Sequence, residues 1–230
     1  MAENAGSDAA APPPAPDKMF EASLVYQIGR VICRLTCVQW FDLKVYGLKH
    51  VPRRGGVLIV SNHQSYLDPV LLAAKLPRPL SFLSKSELFE IPGFNWLIRS
   101  LNAYPVRLGE GDIGAVRETI RRLQEGHALN VFPEGSRTED GEIAPMQPGV
   151  GLIVRRAGVP VVPAVIDGSF EAWPKADKIF HPHPIRVQFG PVMDLKDLKA
   201  GEIVKRIDTT LRRMFAELRA RGRREASSNV

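Results

Sequence analysis

The chain is poor in cysteine. Only Cys33 and Cys37 occur in 230 residues, and no Cys/His cluster elsewhere shows metal-ligand spacing. That argues against a disulfide framework and against a structural metal site, and it suits a reducing, cytoplasmic setting. Long uncharged apolar runs are also missing. A membrane-spanning helix needs roughly 18–20 such residues, and Arg30, Arg34 and Asp42 interrupt the most apolar early stretch. The first eighteen residues lack a basic start followed by an apolar core, so they do not read as a secretory signal. No Gly-x-Ser-x-Gly elbow is present, which weakens any serine-hydrolase reading. No nucleic-acid-binding motif, internal repeat or second domain is apparent.

What remains has the balance of one globular domain, with 44% hydrophobic and 24% charged residues. The net charge of +6 implies an anionic partner. Composition alone does not choose among nucleic acid, an acidic membrane surface and a phosphorylated substrate. Residues 1–17 are Ala/Pro-rich and read as a disordered tail. Residues 18–41 read as one apolar helix, with Ser23, Gln27, Arg30 and Arg34 on a narrow polar stripe. Such a helix can pack on the domain, lie in lipid headgroups, or do both with different faces. The domain is expected over 42–222, with 223–230 as a second tail.

Within the domain, strand-like and helix-like stretches alternate. Strands are expected at Phe41–Tyr46, Val57–Ser61, Leu80–Ser84, Ala103–Arg107, Leu129–Phe132, Val161–Ile166 and Ile185–Phe189. Helices are expected at Pro69–Leu76, Asn95–Leu101, Ile113–Gln124, Gly149–Ala157 and Ile203–Arg221. This order implies an α/β fold with a mostly parallel central sheet flanked by helices. Sites in such folds lie at the carboxyl ends of the strands. The last helix is strongly basic, which fits either a solvated face or attraction to anionic lipid headgroups.

Two strand ends carry chemistry. After Val57–Ser61 comes Asn62-His63-Gln64-Ser65-Tyr66-Leu67-Asp68-Pro69. On one continuous helix His63 and Asp68 would be rotated about 140° apart, but a loop-to-helix transition can fold them together. Asp68 would then orient the imidazole, and the other ring nitrogen could take a proton from a hydroxyl. The alternative is structural: Asp68 before Pro69 is a good helix N-cap, and His63 an ordinary loop residue. The second stretch is Asn130-Val131-Phe132-Pro133-Glu134-Gly135-Ser136-Arg137-Thr138. Its guanidinium and backbone N–H groups suit a phosphate, although Pro-Glu-Gly also occurs in plain turns.

Four blocks in order resemble the glycerolipid acyltransferase family. They are Asn62–Asp68, a His-x4-Asp block; Tyr104-Pro105-Val106-Arg107; Phe132-Pro133-Glu134-Gly135-Ser136-Arg137; and Val159-Pro160-Val161-Val162-Pro163. The resemblance covers roughly residues 40 to 190. It implies a glycerol-3-phosphate acyltransferase-like fold and transfer of a fatty acyl group to the hydroxyl of 1-acyl-glycerol-3-phosphate, giving phosphatidic acid. His63 would be the general base and Asp68 its partner. Arg107 and Arg137 would hold the acceptor's phosphate, with Glu134 and Gly135 shaping that pocket. Pro163 would help form a donor or acceptor surface. The chemistry implies no metal and no cofactor. The implied partners are a lysophospholipid acceptor, an acyl thioester donor (acyl-CoA or acyl-carrier protein) and an anionic membrane surface, with no nucleic acid. The implied location is the cytoplasmic side of the cell membrane, peripheral or monotopic.

The sequence departs from the family in one informative place. Met146-Gln147-Pro148-Gly149 stands where Phe-Lys-x-Gly is common, so a basic residue is missing. That keeps a different acceptor open, such as lyso-ornithine lipid. Phe89, Phe94 and Trp96 can line an acyl tunnel or fill the core, and Lys85 can touch phosphate or water. His50, His127, His181 and His183 receive no function. A hydrolase using Ser65 and a nonenzymatic basic binding module remain as other classes.

Overall fold

The structure, a computed structural model, describes residues 24–85, 90, 103–106, 113–177 and 179–228. Among the described residues seven strands form one sheet: β1 (Lys44–Tyr46), β2 (Val57–Ser61), β3 (Ser81–Lys85), β4 (Ala103–Val106), β5 (Ala128–Val131), β6 (Val161–Asp167) and β7 (Arg186–Phe189). Their order is β1-β7-β6-β2-β5-β3-β4. All neighbours are parallel except β6 and β7. The sheet is therefore mostly parallel, with β7 and β1 reversed at one edge.

Sequence chemistry explains the centre. β2 (Val-Leu-Ile-Val-Ser) and β5 (Ala-Leu-Asn-Val) are buried at every position, as strands covered on both faces must be. Alternate residues serve opposite layers. Leu58, Val60, Leu129, Val131, Val161 and Val165 meet the helices α3 (Ile113–Gln124), α4 (Gly149–Ala157) and α6 (Ala200–Ser227). On α6 the contact stripe is Ile203, Ile207, Leu211, Met214 and Leu218, at helical spacing. Gly151 lets α4 and α6 approach, because a Cβ there would lie 2.4 Å from the Ala200 carbonyl oxygen. Val57, Ile59, Val162, Ala164 and Ile166 face the other layer, with Leu71 and Leu72 of α2 (Asp68–Ala74) and Cys37 and Phe41 of α1 (Leu24–Phe41).

All seven expected strands are present within a few residues. The first is shorter than expected because Phe41 ends α1 instead of opening β1. Two short elements were not anticipated: a 3-10 turn at Leu48–His50 and the one-turn helix α5 (Ser169–Ala172). The expected helix at 95–101 and tail at 1–17 lie outside the described residues, as do Phe89, Phe94 and Trp96.

The C-terminal boundary needs correction. Residues 223–227 continue α6 instead of beginning a tail. The cause is Glu225, which accepts hydrogen bonds from Lys44 Nζ (3.1 Å), Tyr46 Oη (2.8 Å) and Arg186 Nε (3.2 Å) and ties the helix end to β1 and β7.

The described part of the N-terminal apolar helix packs one side on α2. Arg30 Nη1 donates to the Leu76 carbonyl at 2.8 Å, so part of the polar stripe faces the domain. Leu24, Ile28, Val31, Ile32, Leu35 and Val38 are exposed. No described helix is long and apolar enough to cross a membrane.

Candidate active site

The pairing Val60↔Val131 sets β2 beside β5, so their carboxyl-end loops emerge as neighbours. Asn62 fixes the first loop to the other flank. Its Nδ2 donates to the Ile166 carbonyl at 2.9 Å, and its Oδ1 accepts from the Ile166 N–H at 2.8 Å. One side chain thereby extends the β2–β6 pairing past Ser61, where the main chain has turned away.

The loop then folds His63 against Asp68. Asp68 is fully buried, and His63 Nδ1 lies 2.8 Å from Asp68 Oδ2. The same oxygen accepts from the N–H groups of Gln64 (2.6 Å) and Ser65 (2.8 Å). Oδ1 accepts from the Ser169 hydroxyl at 2.7 Å. Asp68 is thus no N-cap. It is the first residue of α2, and its carboxylate turns back over the preceding loop instead of forward to helix N–H groups. A carboxylate only accepts, so Nδ1 carries the hydrogen and Nε2 keeps the lone pair.

The main chain and ring face of His63 are also held. Its N–H donates to Glu134 Oε1 at 2.7 Å, and its carbonyl accepts from Thr138 N–H at 2.9 Å. Its ring stacks on Phe132, centroids 3.9 Å apart and planes 15° off parallel. The side chain remains 19% exposed, so the ring is reachable from outside.

Glu134 braces the two loops. Its Oε2 accepts from Ala144 N–H at 2.7 Å while Oε1 takes His63. Burial raises its pKa to about 7, against the opposing pull of those two N–H donors. Gly135 supplies the turn: its φ of +75° is open to glycine at little cost. Its N–H donates to the Phe132 carbonyl at 3.1 Å.

Arg137 lies on the Tyr66 ring, its guanidinium carbon 3.4 Å from the centroid. Its Nη1 is buried and has no hydrogen-bond acceptor. A buried donor left open is costly, and here it belongs to the guanidinium beside the imidazole loop. The structure thus brings His63, Asp68, Glu134, Gly135 and Arg137 together at one end of the sheet.

Pro163 is not in that group, and the placement of one further expected residue is not described. Arg107 lies outside the described residues. Pro163 is buried inside β6, paired with Val60, so it offers no surface to a substrate. Its carbonyl accepts from Gly190 N–H at 2.8 Å, just past the end of β7. The N–H that proline lacks would point to that same side, where the ladder has stopped.

Ser65 is also unavailable as a nucleophile. It is fully buried, and its hydroxyl donates to the Trp173 carbonyl at 2.9 Å. Sequence reading missed Ser169, Asn62 and Gln64, whose Nε2 donates to Gly141 O at 2.8 Å. Among the described residues no group of three or more His, Cys, Asp and Glu is placed to hold a metal ion.

Comparison with known proteins places the chain in a family. The family model described as Acyltransferase matches residues 42–167. A chloroplastic 1-acyl-sn-glycerol-3-phosphate acyltransferase of Brassica napus is 27% identical over 150 residues, covering 64% of this chain and 43% of that protein. The chain thus spans less than half the length of that relative. A 1-acyl-sn-glycerol-3-phosphate acyltransferase of Pseudomonas aeruginosa is 30% identical over 154 residues, covering 65% of this chain and 58% of that protein. The crystal structure of the 1-acyl-sn-glycerophosphate acyltransferase PlsC from Thermotoga maritima superposes with a TM-score of 0.76 at 31% identity, covering 86% of this chain and 80% of that one. The model matches more than half of the sequence, and its span holds both strand-end loops, so the chain belongs to the Acyltransferase family.

Proposed function

We propose that this protein is an O-acyltransferase that moves a fatty acyl group from acyl-CoA or acyl-carrier protein to the free hydroxyl of 1-acyl-glycerol-3-phosphate, making phosphatidic acid. The observation that carries this reading is the pairing of an oriented base with an unfilled cation. His63 Nδ1 is engaged by buried Asp68, which leaves Nε2 free, and Arg137 Nη1 has no acceptor. The relatives bear the names of enzymes acting on that acceptor.

The proposed chemistry balances without a covalent enzyme intermediate. Nε2 removes the hydroxyl proton as the oxygen attacks the thioester carbonyl, while Asp68 stabilises the imidazolium. The tetrahedral intermediate collapses, the C–S bond breaks, and the thiolate takes the proton back from Nε2. Arg137 binds the acceptor's phosphate and fixes the hydroxyl near the base. Arg107 is proposed as a second phosphate ligand.

Association with the cytoplasmic face of the cell membrane is part of the proposal. The support is α1, whose Leu24, Ile28, Val31, Ile32 and Leu35 are exposed. A helix with one packed side and one exposed apolar side suits the headgroup boundary, and basic α6 suits its charge.

The test is product analysis with 1-acyl-glycerol-3-phosphate and acyl-CoA. Phosphatidic acid is expected from the native chain and not from His63→Ala. Retention of most activity in that variant would refute the mechanism. Transfer to lyso-ornithine lipid in preference to the phosphate acceptor would refute the acceptor.

A further inference from the structure

A continuous line of aromatic rings runs from the guanidinium of Arg137 to the end of α1. Arg137 lies 3.4 Å from the Tyr66 centroid. Tyr66 meets Trp173 at 5.3 Å, Trp173 meets Phe180 at 5.9 Å, and Phe180 meets Trp40 at 5.9 Å. The rings come from four separate segments: the loop before α2, the residue after α5, the loop before β7, and the last turn of α1. Phe180 also packs edge-on against the buried Phe41 ring, 5.8 Å between centroids, but core packing does not account for the whole line. Tyr66 is 53% exposed, Trp40 50% and Phe180 38%.

The polar handle at the middle of the line is already used. Trp173 Nε1 donates to the Asp177 carbonyl at 3.0 Å, so the indole has only carbon surface to offer. One end of the line is a cation with an open donor, and the rest is apolar. That order, an anion site followed by an aromatic strip, is the order of groups in a lysophospholipid, a phosphate followed by a hydrocarbon tail.

We propose that Tyr66, Trp173, Phe180 and Trp40 form a track for the acyl tail of the acceptor, with its phosphate on Arg137, and that this track sets preference for acceptor chain length. The inference rests on the acyltransferase reading above, which it extends from the head of the acceptor to its tail. Because the track ends at Trp40, beside the exposed apolar side of α1, a tail leaving the site reaches the surface expected to meet lipid. A bilayer lying against the same rings is the competing occupant. It does not account for the continuity between the strip and the anion-binding guanidinium, which share the Tyr66 ring.

The chain has three tryptophans, so in a Trp96→Phe background the indole emission comes from Trp40 and Trp173. The probe is 1-acyl-glycerol-3-phosphate carrying a dibrominated tail, used below its micelle concentration. Saturable quenching is expected. In Phe180→Ser, the ratio of kcat/KM for an octadecanoyl over a hexanoyl acceptor should fall about fivefold, because a partly buried ring face is lost. Turnover of the brominated acceptor without quenching would overturn the track and leave the acyltransferase reading intact. Quenching without transfer to any acceptor would uphold the track and sink that reading. An unchanged chain-length ratio, with equal quenching by vesicles of brominated phosphatidylcholine, would make the strip a bilayer contact and overturn the proposal.

Discussion

The Ser169 hydroxyl donates to Asp68 Oδ1 at 2.7 Å across 101 positions of sequence, and both side chains are fully buried. It is the only partner of that oxygen among the described residues, since Gln64, Ser65 and His63 all use Oδ2. Ser169 therefore fixes the plane of the carboxylate that orients His63. It touches no substrate and acts as a positioning residue. Ser169→Ala should lower kcat by about tenfold while leaving KM near native, the loss expected for one hydrogen bond to a charged group. Steady-state kinetics with a parallel melting curve checks this. An equal change in KM, or none in kcat, contradicts it.

Asp68→Asn is expected to cost far more. The amide keeps the shape and can set its oxygen toward His63, Gln64 and Ser65, with its NH2 toward the Ser169 hydroxyl, but the negative charge that stabilises an imidazolium is lost. Loss of that charge should reduce kcat by about two to four orders of magnitude, measured under saturating thioester. A loss below tenfold would show that Nδ1 does not depend on this carboxylate.

Arg137→Lys tests the guanidinium's double duty. Lysine keeps the charge but loses both the forked contact with a phosphate and the flat stack on Tyr66. KM for the phosphate acceptor should rise roughly tenfold to a hundredfold, with KM for the thioester little changed. Initial-rate data varying each substrate in turn separate the two effects.

Glu134 gives the protein a specific pH signature. Burial lifts its pKa to about 7 in the folded chain, from an ordinary value of 4.5. Between those values the folded state holds a proton that the unfolded state has lost. Stability therefore falls as pH rises from about 4.5 to about 7, by roughly 2–4 kcal/mol. Glu134→Gln should flatten that decline in urea melts taken across the window. It should also loosen the loops, since one amide oxygen cannot accept from both His63 and Ala144. A native-like slope in the variant would assign the decline to another group.

Ile32→Asp and Leu35→Asp test the face of α1. Their positions are 58% and 65% exposed, so neither change should shift the melting temperature much. Each should weaken co-sedimentation with anionic vesicles by about tenfold. Unaltered sedimentation would remove α1 from the membrane proposal.

The core was legible because its pattern is local. Short apolar runs such as Val57–Val60 and Val161–Ile166 announce buried parallel strands, and the intervening periodicity announces helices. His63 and Arg137 were legible because each follows such a run at a strand's carboxyl end. What could not be read was anything set by distant contact. Nothing near Gly168-Ser169 signals a hydroxyl aimed at Asp68. The end of α6 persists because Glu225 finds partners on β1 and β7, far away in sequence. Asp68 before Pro69 has the local pattern of a cap, but the His63 ring, the N–H groups of Gln64 and Ser65 and the distant Ser169 hydroxyl together turn it backward. Pro163 does not interrupt the strand expected at Val161–Ile166, because its missing donor falls beyond the end of the neighbouring strand.

The pairing of Val60 with Val131 ties two tasks to one place. In the proposed mechanism, proton removal is assembled from the loop after β2, the start of α2 and the turn after β6, and anion capture belongs to the segment following β5. Both are anchored on a single rung of a rigid ladder. Because Phe132, Glu134 and Thr138 of the latter segment seat His63 by a ring stack and two hydrogen bonds, exchanging that segment would unsettle the imidazole together with the headgroup site.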